Sequence, residues 1–193
     1  MLRMSLDRNC LTAIEEQRDY APAVLKLLAA HRAGTIDLAL NGMSASEMRK
    51  DKTYPERFEE FEDWAESLGF GGLPILLPLG MWDITFWGKS VYASEQQAAL
   101  HNEIYDILFP TSPRDLKGFC AQMGLSPEKG GKGWQKWVNR ACDVECMRAH
   151  IGDGRTVFVT NDDNFIKLTK APVLKERWGV ITAKPDVAAE MLG

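Results

Sequence analysis

Four carboxylates stand where a chain can build a site. Asp7 follows Leu-Arg-Met-Ser-Leu, and Asp162 follows Thr-Val-Phe-Val-Thr-Asn. Both runs read as short buried strands, and in an open parallel sheet ligands bind outside the carboxyl ends of the strands. Glu47 closes Ser44-Ala45-Ser46-Glu47, the spacing of a capping box that opens a helix. Asp143 lies in the helical run Cys-Asp-Val-Glu-Cys-Met-Arg-Ala-His. Each helix acid has a plainer explanation, Glu47 as a cap at the positive end of a helix dipole and Asp143 as a solvated acid. The set carries more than its members. Four acids converging on one sheet edge repel one another unless cations offset the charge, and an oxygen-only ligand set suits Mg²⁺ or Mn²⁺. One or two such ions can activate water and stabilise the leaving oxygen in phosphodiester hydrolysis.

The elements that must position these acids are legible from periodicity. Residues 2–6 read as a strand, 20–33 as a helix stopped by Gly34, and 35–40 as a second strand, so that the first fifty residues run β-α-β-α. Residues 51–70 read as an acidic amphipathic helix with Phe58, Phe61, Trp64, Ala65 and Leu68 inward. Residues 69–92 have no clean period and read as a packed loop; 94–108 is a helix with Ser94 as N-cap. A long helix over 134–150 leads through Gly152-Asp153-Gly154 to the strand Thr156–Thr160, apolar nearly throughout as in a strand buried on both faces. Residues 179–182 read as a last strand and 185–192 as a closing helix headed by Pro185. Short buried strands alternating with helices predict an α/β domain: three layers, α/β/α, around a mainly parallel central sheet.

In this order and spacing the chain resembles the PIN domain, a nuclease fold of many RNA-cleaving enzymes and bacterial toxins. The matching residues are Asp7-Arg8-Asn9 after the first strand, Glu47 in Ser-Ala-Ser-Glu, Asp143 in the helix before the last core strand, and Thr160-Asn161-Asp162 running on to Phe165. The ending, Val-Ile-Thr-Ala-Lys-Pro-Asp-Val-Ala-Ala-Glu-Met-Leu, matches as well. The resemblance covers about 1–50 and 134–193 and sets 51–133 apart as a helical insertion within a single domain. It implies that Asp7, Glu47, Asp143 and Asp162 are metal ligands, that Asn9 and Thr160 orient them through hydrogen bonds, and that Asp163 is an auxiliary acid or a cap for the turn after it. It also implies a Mg²⁺- or Mn²⁺-dependent phosphodiesterase acting on RNA, most simply single-stranded. The alternative is an inactive PIN-like module that binds RNA or a protein.

Cations for the substrate are expected in two places. Arg8, Arg49 and Lys167 neighbour the proposed ligands. Residues 113–141 carry Arg114, Lys117, Lys129, Lys132, Lys136 and Arg140 against Asp115 and Glu128. Lys132, Lys136 and Arg140 recur every fourth residue on one helix stripe, with Trp134 and Trp137 interleaved; the stripe is a nucleic-acid face or a solvated basic face with core tryptophans. Trp82, Phe86, Trp87 and Tyr92 in the insertion face a partner or cover the domain's own core; the core is the favoured expectation, since aromatics mostly pack.

Other chemistries fit poorly. Cys142, Cys146 and His150 share a helix face, but zinc needs a fourth ligand and a shorter Cys spacing, so packing is expected. His31 and His101 have no nucleophile partner in a recognisable motif. Gly130-Gly131-Lys132-Gly133 lacks P-loop spacing. With four scattered cysteines, no visible signal peptide and no apolar run of spanning length, a cytoplasmic protein with reduced thiols is expected, as monomer or homodimer and open to a protein inhibitor or regulator. The 193 residues carry 23 Lys+Arg and 27 Asp+Glu, a net charge of −4. That total speaks against a polyanionic partner until its distribution is read: the four proposed ligands equal the whole excess, and 51–70 carries −5 by itself while 113–141 carries +4.

Overall fold

The computed structural model describes residues 1–49 and 53–193. In chain order the elements are β1 (Leu2–Leu6), α1 (Arg8–Glu15), α2 (Ala21–Arg32), β2 (Ile36–Asn41), a 3₁₀ turn (Gly42–Ser46), α3 (Glu59–Ser67), β3 (Ile75–Leu76), α4 (Glu95–Leu108), α5 (Leu116–Met123), α6 (Lys132–Gly152), β4 (Val157–Val159), α7 (Asp163–Ile166), α8 (Ala171–Trp178), β5 (Ile181–Ala183) and α9 (Pro185–Glu190). The strands form one parallel sheet in the order β3-β2-β1-β4-β5.

Alternation along the strands builds the three layers. Met4, Leu6, Leu38, Leu40, Val157 and Val159 face the layer of α1, α2, α3 and α9. Their neighbours face the other way: Ser5 meets His150 of α6, Ala39 meets Leu76 and Ala149, and Phe158 joins Cys142, Cys146 and Met147. The order also fixes the site. The chain winds outward from β1 through β2 to β3 and then returns to the other side for β4 and β5, so the order of strand addition reverses between β1 and β4, all strands staying parallel. Such a switch point opens a crevice at the carboxyl ends of the strands.

Sequence and structure part in the middle of the chain. The inward face expected of Phe58, Phe61 and Ala65 is buried on α3, but the helix is shorter than 51–70, and Asp51 and Lys52 lie outside the described residues. The stretch 69–92 is not loop throughout: Ile75 and Leu76 pair with Leu40 and Asn41 as the edge strand. Two residues are too few to show a period. The approach is close: a Cβ on Gly42 would come within 3.0 Å of the Leu76 carbonyl oxygen. Ser44-Ala45-Ser46-Glu47 does not open a helix. Glu47 is extended and ends the 3₁₀ turn, because the Arg8 guanidinium takes the Ser44 and Glu47 carbonyls, each at 2.8 Å. Helix α5 lies in a stretch rich in Pro and Gly, with a side-chain N-cap in Asp115 and a left-handed stop at Gly124.

His150 is fully buried on α6, with Nδ1 2.8 Å from Ser5 Oγ and the ring edge-on to Phe158. Burial, with the charges of Arg155 and Arg3, pushes its pKa down to about 3. The folded state therefore keeps the ring neutral while the unfolded chain takes up a proton near pH 6.5. This contribution to stability is intact above pH 6.5 and is lost as pH falls towards 3, about 3 kcal/mol of it by pH 4. Denaturant unfolding at pH 7 and pH 4 is expected to show a smaller acid-induced loss for His150→Gln than for the wild type; equal losses would contradict the assignment.

Candidate metal centre

Asp7 is positioned at the switch point by backbone and side chain alike. Its N–H donates to the Val159 carbonyl of β4 at 2.9 Å. Its Oδ1 accepts from the Arg8 N–H at 2.7 Å, so Asp7 is also the N-cap of α1. Its Oδ2 accepts from Asn9 Nδ2 and from Thr160 Oγ1, both at 2.6 Å. Asn9 Nδ2 also reaches Thr160 Oγ1 at 2.9 Å, and Asn9 Oδ1 accepts the Asn161 N–H at 3.0 Å. Asn9 and Thr160 thus lock Asp7 to the end of β4.

The other three acids meet it around one cavity of about 320 Å³, lined also by Arg18, Tyr20 and Asn161. Asp162 caps α7, accepting the Asn164 N–H at 2.7 Å. Asp143 lies midway along α6, with Asn164 Nδ2 3.5 Å from its Oδ2. Glu47 is held through its backbone by Arg8, whose Nε stands 3.9 Å from Glu47 Oε2. Candidate ligand atoms of Asp7, Glu47 and Cys146 lie within 4.8 Å of one another.

The protonation of Asp7, Glu47 and Asp143 responds to the neighbouring acids. Burial, reinforced by the Asp162 charge and opposed by the Thr160 and Arg8 hydrogen bonds, pushes Asp7 up to about 6. Burial, opposed by Arg8 and reinforced by Asp7 and Asp162, pushes Glu47 up to about 8, although its side chain keeps 29% of its surface open towards the cavity. Asp143 is pushed well above the carboxylate range by burial and by Asp7, Asp162 and Glu47. Such a cluster binds protons or cations readily. The Cys146 thiol is pushed up by burial and by the Asp7 and Glu47 charges, so it stays protonated and leaves an all-oxygen donor set. Packing was the expectation for Cys146; its place under the acids was not visible from the sequence.

The expected auxiliary and cationic residues separate. Asp163 does not line the cavity: it is exposed, 3.6 Å from Lys184 Nζ, and the cap of α7 is Asp162. Arg8 is engaged with Ser44 and Glu47 and lies over the Trp64 ring at 5.4 Å, which makes it a brace for Glu47. Arg49 pairs with Glu60 at 2.6 Å. Lys132, Lys136 and Lys167 are exposed. Arg140 leaves the stripe: its guanidinium lies between the Phe109 and Phe119 rings at 4.8 and 4.6 Å and donates to Ser112. The interleaved tryptophans pack as well, Trp134 edge-on to Tyr54 and Trp137 donating to the Arg114 carbonyl at 2.8 Å. One further cation has no motif to mark it in the sequence. Lys170 is buried, donates to Asn164, and sits where the Asp143 and Asp162 charges act on it. Trp82, Trp87 and Tyr92 do not cover the core; they are exposed, while Phe86 packs against Phe58.

Fold and site together define an α/β domain with a carboxylate cluster at the switch point of a parallel sheet. Comparison with family models, curated proteins and solved structures finds no match to this chain. Among the described residues no helix is long and apolar enough to cross a membrane.

Proposed function

We propose that this protein is a metal-dependent nuclease that hydrolyses phosphodiester bonds in single-stranded RNA. The observation that carries the proposal is the meeting of Asp7, Glu47, Asp143 and Asp162 around one polar cavity, with the proton affinities of three of them raised by burial and by one another. A donor set of carboxylate oxygens beside an open, polar cavity fits Mg²⁺ or Mn²⁺, which keep waters and take substrate phosphate oxygens as further ligands. Bound there, the ion supplies activation of water and neutralisation of phosphate charge. The likeness to PIN domains in the order Asp7-Arg8-Asn9, Glu47, Asp143, Thr160-Asn161-Asp162 supports the same reading and points to RNA.

The chain's own residues prepare the site. Asn9 and Thr160 fix the Asp7 carboxylate in one orientation, and a ligand so supported holds a metal more tightly. Arg8 fixes the extended backbone that brings Glu47 back to the cavity. Lys170, next to Asn164, offsets part of the acid charge from the α7 side. Removing one of these supports should cost less than removing a ligand: Thr160→Val, which keeps the shape and deletes the hydroxyl, is expected to weaken Mn²⁺ binding by about 10- to 100-fold. Isothermal titration of both proteins checks this, and unchanged affinity would remove Thr160 from the site.

The test of function is incubation of the wild type with single-stranded RNA. Cleavage with Mg²⁺ or Mn²⁺ and none with excess chelator is expected. RNA bound but intact in the presence of either ion would favour a binding module, and cleavage unaffected by chelator would exclude the metal mechanism.

A further inference from the structure

Four hollows follow one another across the surface, each sharing residues with the next. The carboxylate cavity shares Arg8 with a hollow of about 290 Å³ bordered by Phe61 and Trp64. That hollow shares Pro55 with a third, where Tyr54 and Trp134 stand edge to face. The third shares Thr85 and Phe86 with a fourth of about 380 Å³, lined by Trp82, Trp87 and Tyr92. These last three rings are 80%, 80% and 93% exposed, Trp82 and Trp87 meeting edge-on at 5.7 Å. Large rings left this open bring no burial to the fold.

Guanidinium and ammonium groups stand beside the same path, each next to a carboxylate: Arg49 with Glu60, and the exposed Lys129 with Asp83 at 2.8 Å. Aromatic faces therefore recur along a path of little net charge. This favours a ligand with unpaired planar rings over a duplex, which hides its base faces and is held mainly through phosphates. A protein partner would explain the exposed tryptophans but not why the hollows lead to the carboxylates. We propose that this path is the track of the single-stranded substrate, with bases stacked at the Trp82–Trp87–Tyr92 end while the scissile phosphate lies at the acids. The inference rests on the nuclease reading and adds to it a substrate-length requirement set far from the chemistry.

The test compares cleavage of oligouridylates of about 4 and about 16 nucleotides, which bracket ordinary single-strand site sizes. The wild type should cut the longer one at least about tenfold more efficiently in kcat/KM, the effect of roughly one lost stacking platform or more. Trp82→Ala/Trp87→Ala/Tyr92→Ala should lose that preference, through KM, while cutting the short substrate as the wild type does. Trp82→Phe/Trp87→Phe, which keeps two flat rings, should retain most of it. The thermal midpoint of each variant identifies any loss of folding, and the Phe pair then carries the comparison. A triple variant that keeps the length preference, or a wild type that cuts both lengths equally well, overturns the track and leaves the nuclease reading standing. A wild type that cuts neither overturns the nuclease reading, and the track with it.

Discussion

Asp7→Asn is expected to lower metal-dependent RNA cleavage by at least about a thousandfold, because a ligand worth several kcal/mol of charge stabilisation is removed. The substitution is nearly isosteric. It keeps an oxygen for the Arg8 N–H, and its amide nitrogen can donate to Thr160 Oγ1 but cannot accept from Asn9 Nδ2, which keeps its bond to Thr160. It also removes a carboxylate that burial and Asp162 already push towards protonation. The metal-free variant should therefore unfold near the wild-type temperature, the acceptor lost to Asn9 being offset by the buried charge removed. Lost activity in a protein of undiminished stability separates a role in the reaction from a role in folding. Cleavage within a factor of about two of wild type would mean that Asp7 is no ligand.

The second large effect is in the pH dependence of metal binding. A carboxyl must lose its proton to ligate. In the metal-free protein Glu47 holds its proton up to about pH 8 and Asp7 up to about pH 6. Mg²⁺ affinity should therefore rise steeply with pH below 6, where both protons compete. It should rise by up to about tenfold per unit and per proton between pH 6 and 8, with Asp143, whose proton is also held well above the carboxylate range, adding to the slope. Binding at pH 7 should release protons, visible in calorimetry as a heat that differs between buffers of different ionisation enthalpy. Glu47→Gln should bind more weakly and lose its share of the pH 6–8 slope. An affinity flat from pH 6 to 9 would contradict the raised carboxyls.

Much of the frame was legible because its signals are local. The expected strand over 2–6 is β1, and that over 156–160 holds β4 at Val157–Val159, with Asp7 and Asp162 just beyond their ends. Ser94 and Gln97 form the capping box that their spacing suggests. What was not legible depends on distant partners. Ser44-Ala45-Ser46-Glu47 has the spacing of a cap, yet Arg8, thirty-six residues from Ser44, takes the carbonyls that a helix would use. Arg140 sits on a basic stripe by sequence, but Phe109 and Phe119 from α4's end and α5 enclose it. Lys170 follows the acids by a few residues with no motif to mark it; only folding of α7 and α8 turns it towards Asn164. The exposed tryptophans failed in the opposite sense. Aromatic residues usually bury themselves, and the loop from 80 to 93 holds Trp82, Trp87 and Tyr92 out instead.

The most direct measurement is a crystal of the wild type grown with Mn²⁺ and measured for anomalous scattering. The expected result is a strong peak between Asp7 and at least one of Glu47, Asp143 and Asp162, absent from crystals of Asp7→Asn. A peak only elsewhere, or none at saturating Mn²⁺, would show that these four carboxylates do not hold the ion.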